Sequence, residues 1–533
     1  MKKVILLLTI VLFSVPTLHS QSYQPKRVDF KVKKDWFGFK TIACGENGLI
    51  TFYFKEKGNA LFGKEKTLYV SLYDKDLEKV WQKSKELNTD LTAVDYRYDK
   101  KTNQVYLVFA DEEGGGLKFS NDTKVEIVKI KATPEKRRSS NGLMTLSKHS
   151  IAIPSENSYQ NMLISNENVF LFIQETRIPF IARCCSPFSL IKNLATSTPK
   201  DYIYKLSAEK SFDNKQISLN HKGKYYTHLT SFLNDKGDVV YFADIINVGK
   251  SGLDKQRLYV IDSESGKIKE NMDLSKNIRK ELRYKTAIQH KENQILYAGL
   301  YGEDDNSAQT GFLFRYFEDS KMIDEKEYGL KELTGKDNKK KFLGIFNVKD
   351  RTYMRFHDKT YQLDDKGNYM VIGEKLSKYY ETYTYTDANG NMHTDRVHLG
   401  WTYNEAYLMA FDKNNKPLWG ETFDMYETTV FNLSLVPRLY IKQLSEDEVN
   451  VMFGIGDQIT TMQIDEAHPS DQKNISIKSQ FKKSRVSNGI MPSIEHWYND
   501  YFIASGYVDV KRGDSFLSGS DRMYYFTKIK FDN

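Results

Sequence analysis

Two stretches carry the pattern that decides the fold: LYVIDSESGKIKEN (Leu258–Asn271) and YLMAFDKNNKPLWGE (Tyr407–Glu421). In each, a run of alternating apolar residues leads into a polar turn that contains Asp, and a second short run follows a Lys. Alternation with a period of two predicts β-strands, and Asp, Asn and Gly between two such runs predict a tight turn. Each stretch is therefore predicted to be an antiparallel β-hairpin.

The hairpin pattern recurs along the chain, with a clear copy from Leu68 and weaker copies from Tyr202, Phe312 and Thr360. A second element, an Asn/Asp/Gly turn followed by a strongly apolar strand, precedes most of these hairpins. It begins at Glu46, Thr102, Asn166, Asp235, Lys291, Glu446 and Tyr498. Together the two elements predict four strands per unit, repeated roughly every 50–70 residues, which is a spacing typical of repeat folds.

Regularly repeated four-stranded units are typical of β-propeller blades, because one such unit cannot bury both faces alone. We predict an all-β propeller of seven or eight four-stranded blades. The C-terminal strand DRMYYFTKIKFDN, from Asp521, can pair with an early strand from Lys26, which would close the ring and remove exposed edges. The strongly apolar strand is expected to be the innermost strand of each blade, covered on both faces.

The N-terminus has the composition of a cleaved secretory signal peptide. Lys2 and Lys3 precede an apolar run over residues 4–15, which is too short for a stable membrane span. No Cys stands at the expected cleavage point, so a lipid anchor is not expected. We predict that residues 1–20 are removed and that residues 21–533 form one propeller domain. Its location would be periplasmic or secreted, without membrane insertion.

Charge and cysteine content give no sign of a nucleic-acid partner or a disulfide framework. The 78 Lys and Arg exceed the 70 Asp and Glu by a net charge of +8, and the charges are spread along the chain, as on a solvated surface. The chain has three cysteines, Cys44, Cys184 and Cys185, and an odd number cannot pair completely. The adjacent Cys184 and Cys185 could form a strained vicinal disulfide or remain thiols.

The hairpins at Leu258 and Tyr407 resemble the tryptophan-docking repeats of PQQ-like propellers. That family includes quinoprotein dehydrogenases, in which a vicinal disulfide packs on the quinone, and non-enzymatic outer-membrane assembly factors. Trp81 and Trp419 match the docking tryptophan of the family, whereas most other copies lack it. The resemblance implies a propeller fold, and we expect no quinone and no other cofactor.

The stretch YETYTYTDANGNMHTDRVHLGW, from Tyr380, predicts a projecting hairpin within residues 379–403. If Asn389-Gly390 forms the centre of a type I′ turn, Tyr383 faces Arg396 across the two strands. One face would then combine aromatic, acidic and cationic side chains, a mixture favoured at interfaces. These candidate binding residues are Tyr379, Glu381, Tyr383, Tyr385, Arg396 and His398. A blade hairpin whose tip is simply exposed fits the same pattern.

Other local motifs predict little chemistry. Residues 387–391 have the Asp-Asn-Asn spacing of a calcium loop, but Met392 and His398 replace the Gly and Glu that such a loop needs, so no metal site is expected. Segments 139–160 and 176–200 are predicted as long loops, where function on a propeller usually lies.

From these features we expect a non-enzymatic binding or scaffolding propeller of the cell envelope, recognising a protein or a glycan through rim loops. The alternative is a polysaccharide lyase acting on acidic polysaccharide, in which His or Tyr removes a proton and a cation holds the substrate carboxylate. Its candidate residues lie close together in the chain: His221, Tyr225, Tyr226 and His228. Two further histidines, His290 and His496, precede corresponding turns, which repetition of one fold element explains.

Overall fold

The computed structural model shows a chain built almost entirely from β-strands. It describes residues 26–59, 63–87, 91–111, 122–133, 144–145, 151–154, 157–165, 168–175, 201–207, 214–217, 219, 225–246, 255–276, 278, 282–302, 309–329, 332–333, 353–386, 391–430, 437–477, 484–485, 492–511 and 520–530. Short helical turns occur at Gly45–Asn47 and at residues 332–333. None of the helical segments in these ranges could cross a membrane. The predicted signal peptide, the pair Cys184 and Cys185, and the loop 176–200 lie outside the described residues.

The described strands form eight antiparallel sheets of four or five strands, numbered here along the chain. The chain starts with β1 (Arg27–Lys31). Sheet 1 contains β2 (Trp36–Ala43), β3 (Leu49–Asn59), β4 (Gly63–Tyr73) and β5 (Lys79–Leu87). Sheet 2 contains β6 (Leu91–Asp99), β7 (Gln104–Asp111), β8 (Asp122–Lys131), β9 (Met144–Thr145) and β10 (Ile151–Pro154). Sheet 3 contains β11 (Asn157–Ser165), β12 (Asn168–Glu175), β13 (Asp201–Ser207) and β14 (Asn214–Ile217). Sheet 4 contains β15 (Tyr225–Leu233), β16 (Val239–Ile246), β17 (Lys255–Ile261) and β18 (Ile268–Asp273).

The second half of the chain continues in the same way. Sheet 5 contains β19 (Leu282–Lys291), β20 (Gln294–Gly302), β21 (Gln309–Glu318) and β22 (Lys321–Gly329). Sheet 6 contains β23 (Tyr353–Phe356), β24 (Tyr361–Gln362), β25 (Tyr369–Thr386), β26 (Met392–Phe411) and β27 (Pro417–Val430). Sheet 7 contains β28 (Tyr440–Gln443), β29 (Glu448–Ile455), β30 (Gln458–Asp465), β31 (His468–Pro469) and β32 (Lys473–Ser476). Sheet 8 contains β33 (Ser484–Arg485), β34 (Ser493–Tyr498), β35 (Tyr501–Lys511), β36 (Ser520–Lys530) and β1.

The N-terminal strand completes the last sheet. β1 pairs antiparallel with β36, from Arg27 opposite Thr527 to Lys31 opposite Met523, which is the pairing expected from the sequence. The Arg27 side chain also links β1 to sheet 7, because its Nη1 donates to the carbonyl of Ile477, next to β32, at 2.6 Å. Sheet 8 is thus built from both ends of the described chain.

Asp and Asn side chains fix the repeated turns, as the sequence pattern predicted. The Asp412 Oδ1 atom accepts hydrogen bonds from the backbone N–H groups of Asn414 and Lys416, both at 2.8 Å. Asp74 and Asn234 make the same pair of bonds in the turns of sheets 1 and 4. A side-chain acceptor at the first turn position binds two backbone N–H groups that have no partner in the strand pairing. The residues of the turn itself therefore determine its conformation.

Two sequence expectations need correction. The strongly apolar strand is the second strand of its sheet, such as β3 or β29, because that strand is paired on both edges and covered on both faces. In addition, segment 139–160 is not a continuous loop: it contributes β9, β10 and the start of β11. The two short strands pair with the edge of β8 that β7 leaves free, a pairing that so short a sequence pattern does not reveal.

The strand that precedes the apolar strand is called here the first strand of its sheet: β2, β6, β11, β15, β19, β23, β28 and β34. In sheets 1 to 5 this first strand contains a β-bulge at a corresponding point, as between Ala93 and Asp95 or between His228 and Thr230. Each first strand from β2 to β23 touches the next one, β28 touches β34, and β34 touches β2. A β-bulge changes the direction of the side chains beside it, so the residues of these first strands do not alternate regularly between the two faces of the sheet.

The core lies between the sheets. Within the described residues, eight buried apolar clusters each join two consecutive sheets, and one of them joins sheet 8 to sheet 1 through Phe39, Trp497 and Phe526. The two tryptophans that carry the family resemblance also bridge sheets. The Trp81 indole N–H donates to the Thr133 carbonyl at 3.1 Å, and the Trp419 indole N–H donates to the Ala467 carbonyl at 2.6 Å.

Candidate functional site

The predicted projecting hairpin is present as the longest strand pair in the described structure. β25 has 18 residues and β26 has 20, whereas their neighbours β23 and β27 pair only with the halves nearest the core. Beyond Lys378 and Trp401, the two strands pair only with each other. We call this two-stranded extension, residues 379–386 and 391–400, the arm.

The register of the arm differs from the predicted one by one residue. Tyr383 lies opposite Asp395 rather than Arg396, and Thr386 lies opposite Met392. A type I′ turn centred on Asn389-Gly390 would place Thr386 opposite His393, one residue further along; Asn389 and Gly390 themselves lie outside the described residues. Because side chains alternate between the two faces of a strand, a shift of one residue moves a whole set to the other face.

The shift separates the predicted binding residues into two groups. One face of the arm carries Glu381, Tyr383 and Tyr385, with His393, Asp395 and Val397 from β26. The other face carries Arg396 and His398 beside Tyr380 and several threonines. The predicted mixture of tyrosine, carboxylate and arginine on one face is therefore wrong. Tyr379 lies at the base of the arm, next to a bulge, opposite Gly400.

On the first face, which we call the tyrosine face, the side chains are ordered by their own contacts. The Tyr383 hydroxyl donates to the Glu381 carboxylate at 2.6 Å, and this bond raises the pKa of Tyr383. Asp395 accepts a hydrogen bond from Tyr385 and raises its pKa in the same way. The Tyr385 and His393 rings stack with centroids 5.5 Å apart. Tyr383 and Tyr385 are thus held in place while about half of each residue stays exposed to solvent.

On the opposite face, the cation is held by the arm itself. The Arg396 guanidinium lies over the Tyr380 ring, 4.8 Å from its centroid. The His398 Nε2–H donates to the Gly400 carbonyl at 2.7 Å, and its ring is 5.5 Å from that of Tyr380. This face is therefore a self-contained stack that stiffens the base of the arm.

Four of the ten exposed large apolar side chains among the described residues lie on the arm. Tyr383, Tyr385, Met392 and Val397 are 47%, 50%, 76% and 44% exposed. Three of the four lie on the tyrosine face, and Met392 lies at the tip. Grouped exposed apolar side chains indicate an interaction surface, whereas single ones do not. Sequence analysis missed Val397 and Asp395 as members of this face, because their placement depends on the register.

The residues predicted to form a lyase pocket lie only partly within the described structure. Tyr225, Tyr226 and His228 lie on β15, whose backbone pairs with β16, and His221 lies outside the described residues. That pocket stays a prediction. Elsewhere in the described chain, no three His, Cys, Asp or Glu side chains gather in a way that could hold a metal ion.

The two remaining histidines occupy corresponding places in sheets 5 and 8, as expected. Burial lowers the pKa of His290 to about 3, and its Nδ1 lies 3.3 Å from the Thr360 hydroxyl between sheets 5 and 6. Burial also lowers the pKa of His496, whose Nε2–H donates to the Asn499 carbonyl at 2.7 Å. Both histidines are neutral near pH 7 and serve local structure.

Comparison with known proteins shows similarity at the level of structure only. No protein-family model and no curated protein sequence matches the chain. The polysaccharide lyase Uly1 aligns at 12% identity over 82% of this chain and 89% of its own, with a TM-score of 0.39. A PL25 ulvan lyase aligns at 10% identity over 81% and 93%, with a TM-score of 0.38.

The β-propeller domain of the Trilobed protease from Pyrococcus furiosus aligns at 10% identity over 82% of this chain and 96% of its own, with a TM-score of 0.34. The structural neighbours thus include β-propellers and polysaccharide lyases. Similarity at this level carries no argument about ligand or activity. What the chain does is therefore inferred from its own residues.

Proposed function

We propose that this chain is an exported, non-enzymatic β-propeller of the cell envelope that binds a protein partner through the tyrosine face of the arm. Each of the eight sheets would be one blade, and the pairing of β1 with β36 would close the ring. The apolar cluster that joins sheet 8 to sheet 1 supports this closure, because every sheet then has a buried neighbour on both sides.

The observation that carries the binding role is the concentration of exposed tyrosine, methionine and valine on a segment outside the core. The arm extends past both neighbouring strands, so its surface contributes little to folding. Tyrosine gives a large contact area at a small cost in conformational entropy, and Tyr383 and Tyr385 are already held by Glu381 and Asp395. A preordered apolar patch of this kind favours a protein partner.

The backbone of the arm supports the same proposal. Along residues 379–386 and 392–400 each strand has one paired edge and one open edge within the described structure. Open edges can accept a further strand, and proteins that bind peptides by strand addition use such edges together with alternate side chains. A partner segment lying along the arm would gain main-chain hydrogen bonds and contact the tyrosine face at every second residue.

Site-specific photo-crosslinking in cells tests this proposal. A photoreactive residue replaces Tyr385 in one variant and Tyr426 in the control; Tyr426 is 43% exposed but lies on β27, outside the arm. We expect one dominant crosslinked envelope protein from position 385 and none from position 426.

A second variant, in which residues 382–397 are replaced by a short turn, should lose that partner in a pull-down while keeping its unfolding midpoint. The proposal fails if position 385 gives no dominant product, or if the partner is retained without the arm.

A further inference from the structure

A group of charged side chains from four sheets lies at the first strands, and none of its members belongs to the arm. Lys40 lies on β2, Arg97 on β6 and Glu495 on β34, while Arg438 lies two residues before the start of β28. These strands belong to sheets 1, 2, 8 and 7, and β2 touches both β34 and β6. We call these four residues the inner charge cluster.

Contacts and electrostatic effects hold the cluster together. The Glu495 Oε2 atom accepts a hydrogen bond from the Ala43 backbone N–H at 3.1 Å, which links sheet 8 to sheet 1. Burial raises the pKa of Glu495 to about 6, and the charges of Arg97 and Lys40 act against that rise. Burial and the Arg438 charge lower the pKa of Lys40, while Glu495 raises it. Each side chain is therefore within electrostatic range of at least one other member.

Positive charge exceeds negative charge around this point. Arg97 and Lys40 act on the carboxylate of Glu495, and Arg438 acts on Lys40. Two further acids lie beside these cations: Asp95 has an oxygen 3.9 Å from Arg97 Nε, and Glu374 accepts from the Arg438 backbone N–H at 2.8 Å. Lys442, Lys100 and Lys359 form a second group of like charges close by. Burial is the main cause of the lowered pKa of Lys442, and the charges of Lys100 and Lys359 lower it further. Like charges brought together repel each other, so an anion bound between them would be stabilised.

A buried donor without a partner points the same way. The Nε atom of Arg438 is buried and has no hydrogen-bond partner among the described residues, and the same is true of Arg355 Nε on β23. A buried donor left unpaired is costly, whereas a guanidinium bound to a carboxylate satisfies several donors at once. The side chains of Lys40 and Arg97 are open to solvent, although enough protein surrounds Lys40 to lower its pKa, so a ligand can reach this group.

We propose that the inner charge cluster is a binding site for an acidic oligosaccharide. The uronate carboxylates would bind Lys40, Arg97 and Arg438, and sugar hydroxyls would donate to Glu495. The other carboxylate oxygen of Glu495, Oε1, accepts no hydrogen bond from a described residue, so it is available to a sugar hydroxyl. The negative charge of Glu495 also disfavours ligands that carry a phosphate on every unit, because like charges repel each other. A uronic-acid sugar supplies both the anions for the cations and the hydroxyl donors for the carboxylate. The site is independent of the arm.

Isothermal titration with an oligogalacturonate hexamer, and with a neutral galactose oligomer of equal length, tests this site in the mature protein. We expect binding of the acidic hexamer only, with an affinity that decreases as salt increases. Arg97→Gln and Lys40→Gln should each weaken binding by about 10-fold, because each removes one charge-assisted contact. Lys236→Gln, at an exposed turn of sheet 4, is the matched control and should leave the affinity unchanged.

Three results would overturn the proposal. The first is no binding of the hexamer at low salt, and the second is equal loss of affinity in Lys236→Gln and Arg97→Gln. The third is tighter binding of inorganic phosphate or of a single-stranded oligonucleotide than of the hexamer, which would mean that the site binds a different anion and not an acidic sugar. The arm-replacement variant should bind the hexamer normally, so this test and the crosslinking test fail separately. Unchanged urea midpoints of the Gln variants confirm that they fold.

Discussion

Replacement of Glu374 should show how strongly sheet 6 is joined to sheet 7. Glu374 is fully buried on β25, and its Oε1 accepts from the backbone N–H groups of Arg438 at 2.8 Å and Leu439 at 2.7 Å. The same oxygen lies 3.1 Å from His357 Nε2. Glu374→Ala leaves these donors buried without an acceptor. An unpaired buried donor costs about 1–3 kcal/mol, so we expect a loss of about 3–5 kcal/mol after partial relaxation.

Glu374→Gln is the informative companion variant. An amide oxygen in the place of Oε1 keeps the same acceptor but loses the charge, so the expected loss is about 1–3 kcal/mol. Urea unfolding followed by far-UV circular dichroism measures both changes, with Glu421→Ala on exposed β27 as a control expected to stay within about 0.5 kcal/mol. A loss for Glu374→Ala no larger than that of the control would refute the reasoning.

Three further predictions concern other junctions. The pKa of Glu495, raised to about 6 from an ordinary value of 4.5, means that the folded state binds more protons than the unfolded state between these pH values. Glu495 alone makes the unfolding free energy fall as pH rises through that window, whereas the lowered pKa values of His290 and His496 act in the opposite direction. The unfolding free energy of Glu495→Gln relative to the unsubstituted protein should therefore rise by about 2 kcal/mol through that window, measured by urea titration at several pH values. Trp81→Phe and Trp419→Phe should each lower the unfolding free energy by about 1–2 kcal/mol, because each leaves a carbonyl in the next sheet unpaired. If neither variant were less stable, the indole hydrogen bonds would not be what joins these sheets. Cys44 is fully buried, and burial raises the pKa of its thiol. In a variant whose other two cysteines are replaced by Ser, a thiol reagent should therefore react only after denaturant is added. Rapid labelling of the native protein would contradict this packing.

The repeated hairpins could be predicted from sequence because their information is local. An Asp at the first turn position binds two backbone N–H groups within four residues, and the flanking alternation is visible in a window of about ten residues. The apolar strands were recognised for the same reason. Their position as second strands could not be predicted, because it depends on which strand lies at the sheet edge, and that is a property of the pairing.

The candidate sites were only partly predictable. The arm was found from its alternating aromatic residues, but its register depends on how many residues the turn spans, and one residue decides whether Arg396 joins Tyr383. The inner charge cluster was not found at all. Lys40 and Glu495 are separated by most of the chain, and neither stands in a motif, so only the contact between β2 and β34 brings them together.

The pairing of β1 with β36 has a consequence for the newly made chain. A ribosome adds about 5–20 residues per second, so β1 waits on the order of 25–100 s before the residues of β36 exist. During that time RVDFK is a strand without a partner. Its three charged residues in five disfavour pairing with a similar strand of another copy. Sheet 8 is then the last of the described sheets that synthesis allows to form, because its first-made strand must wait for its last-made one.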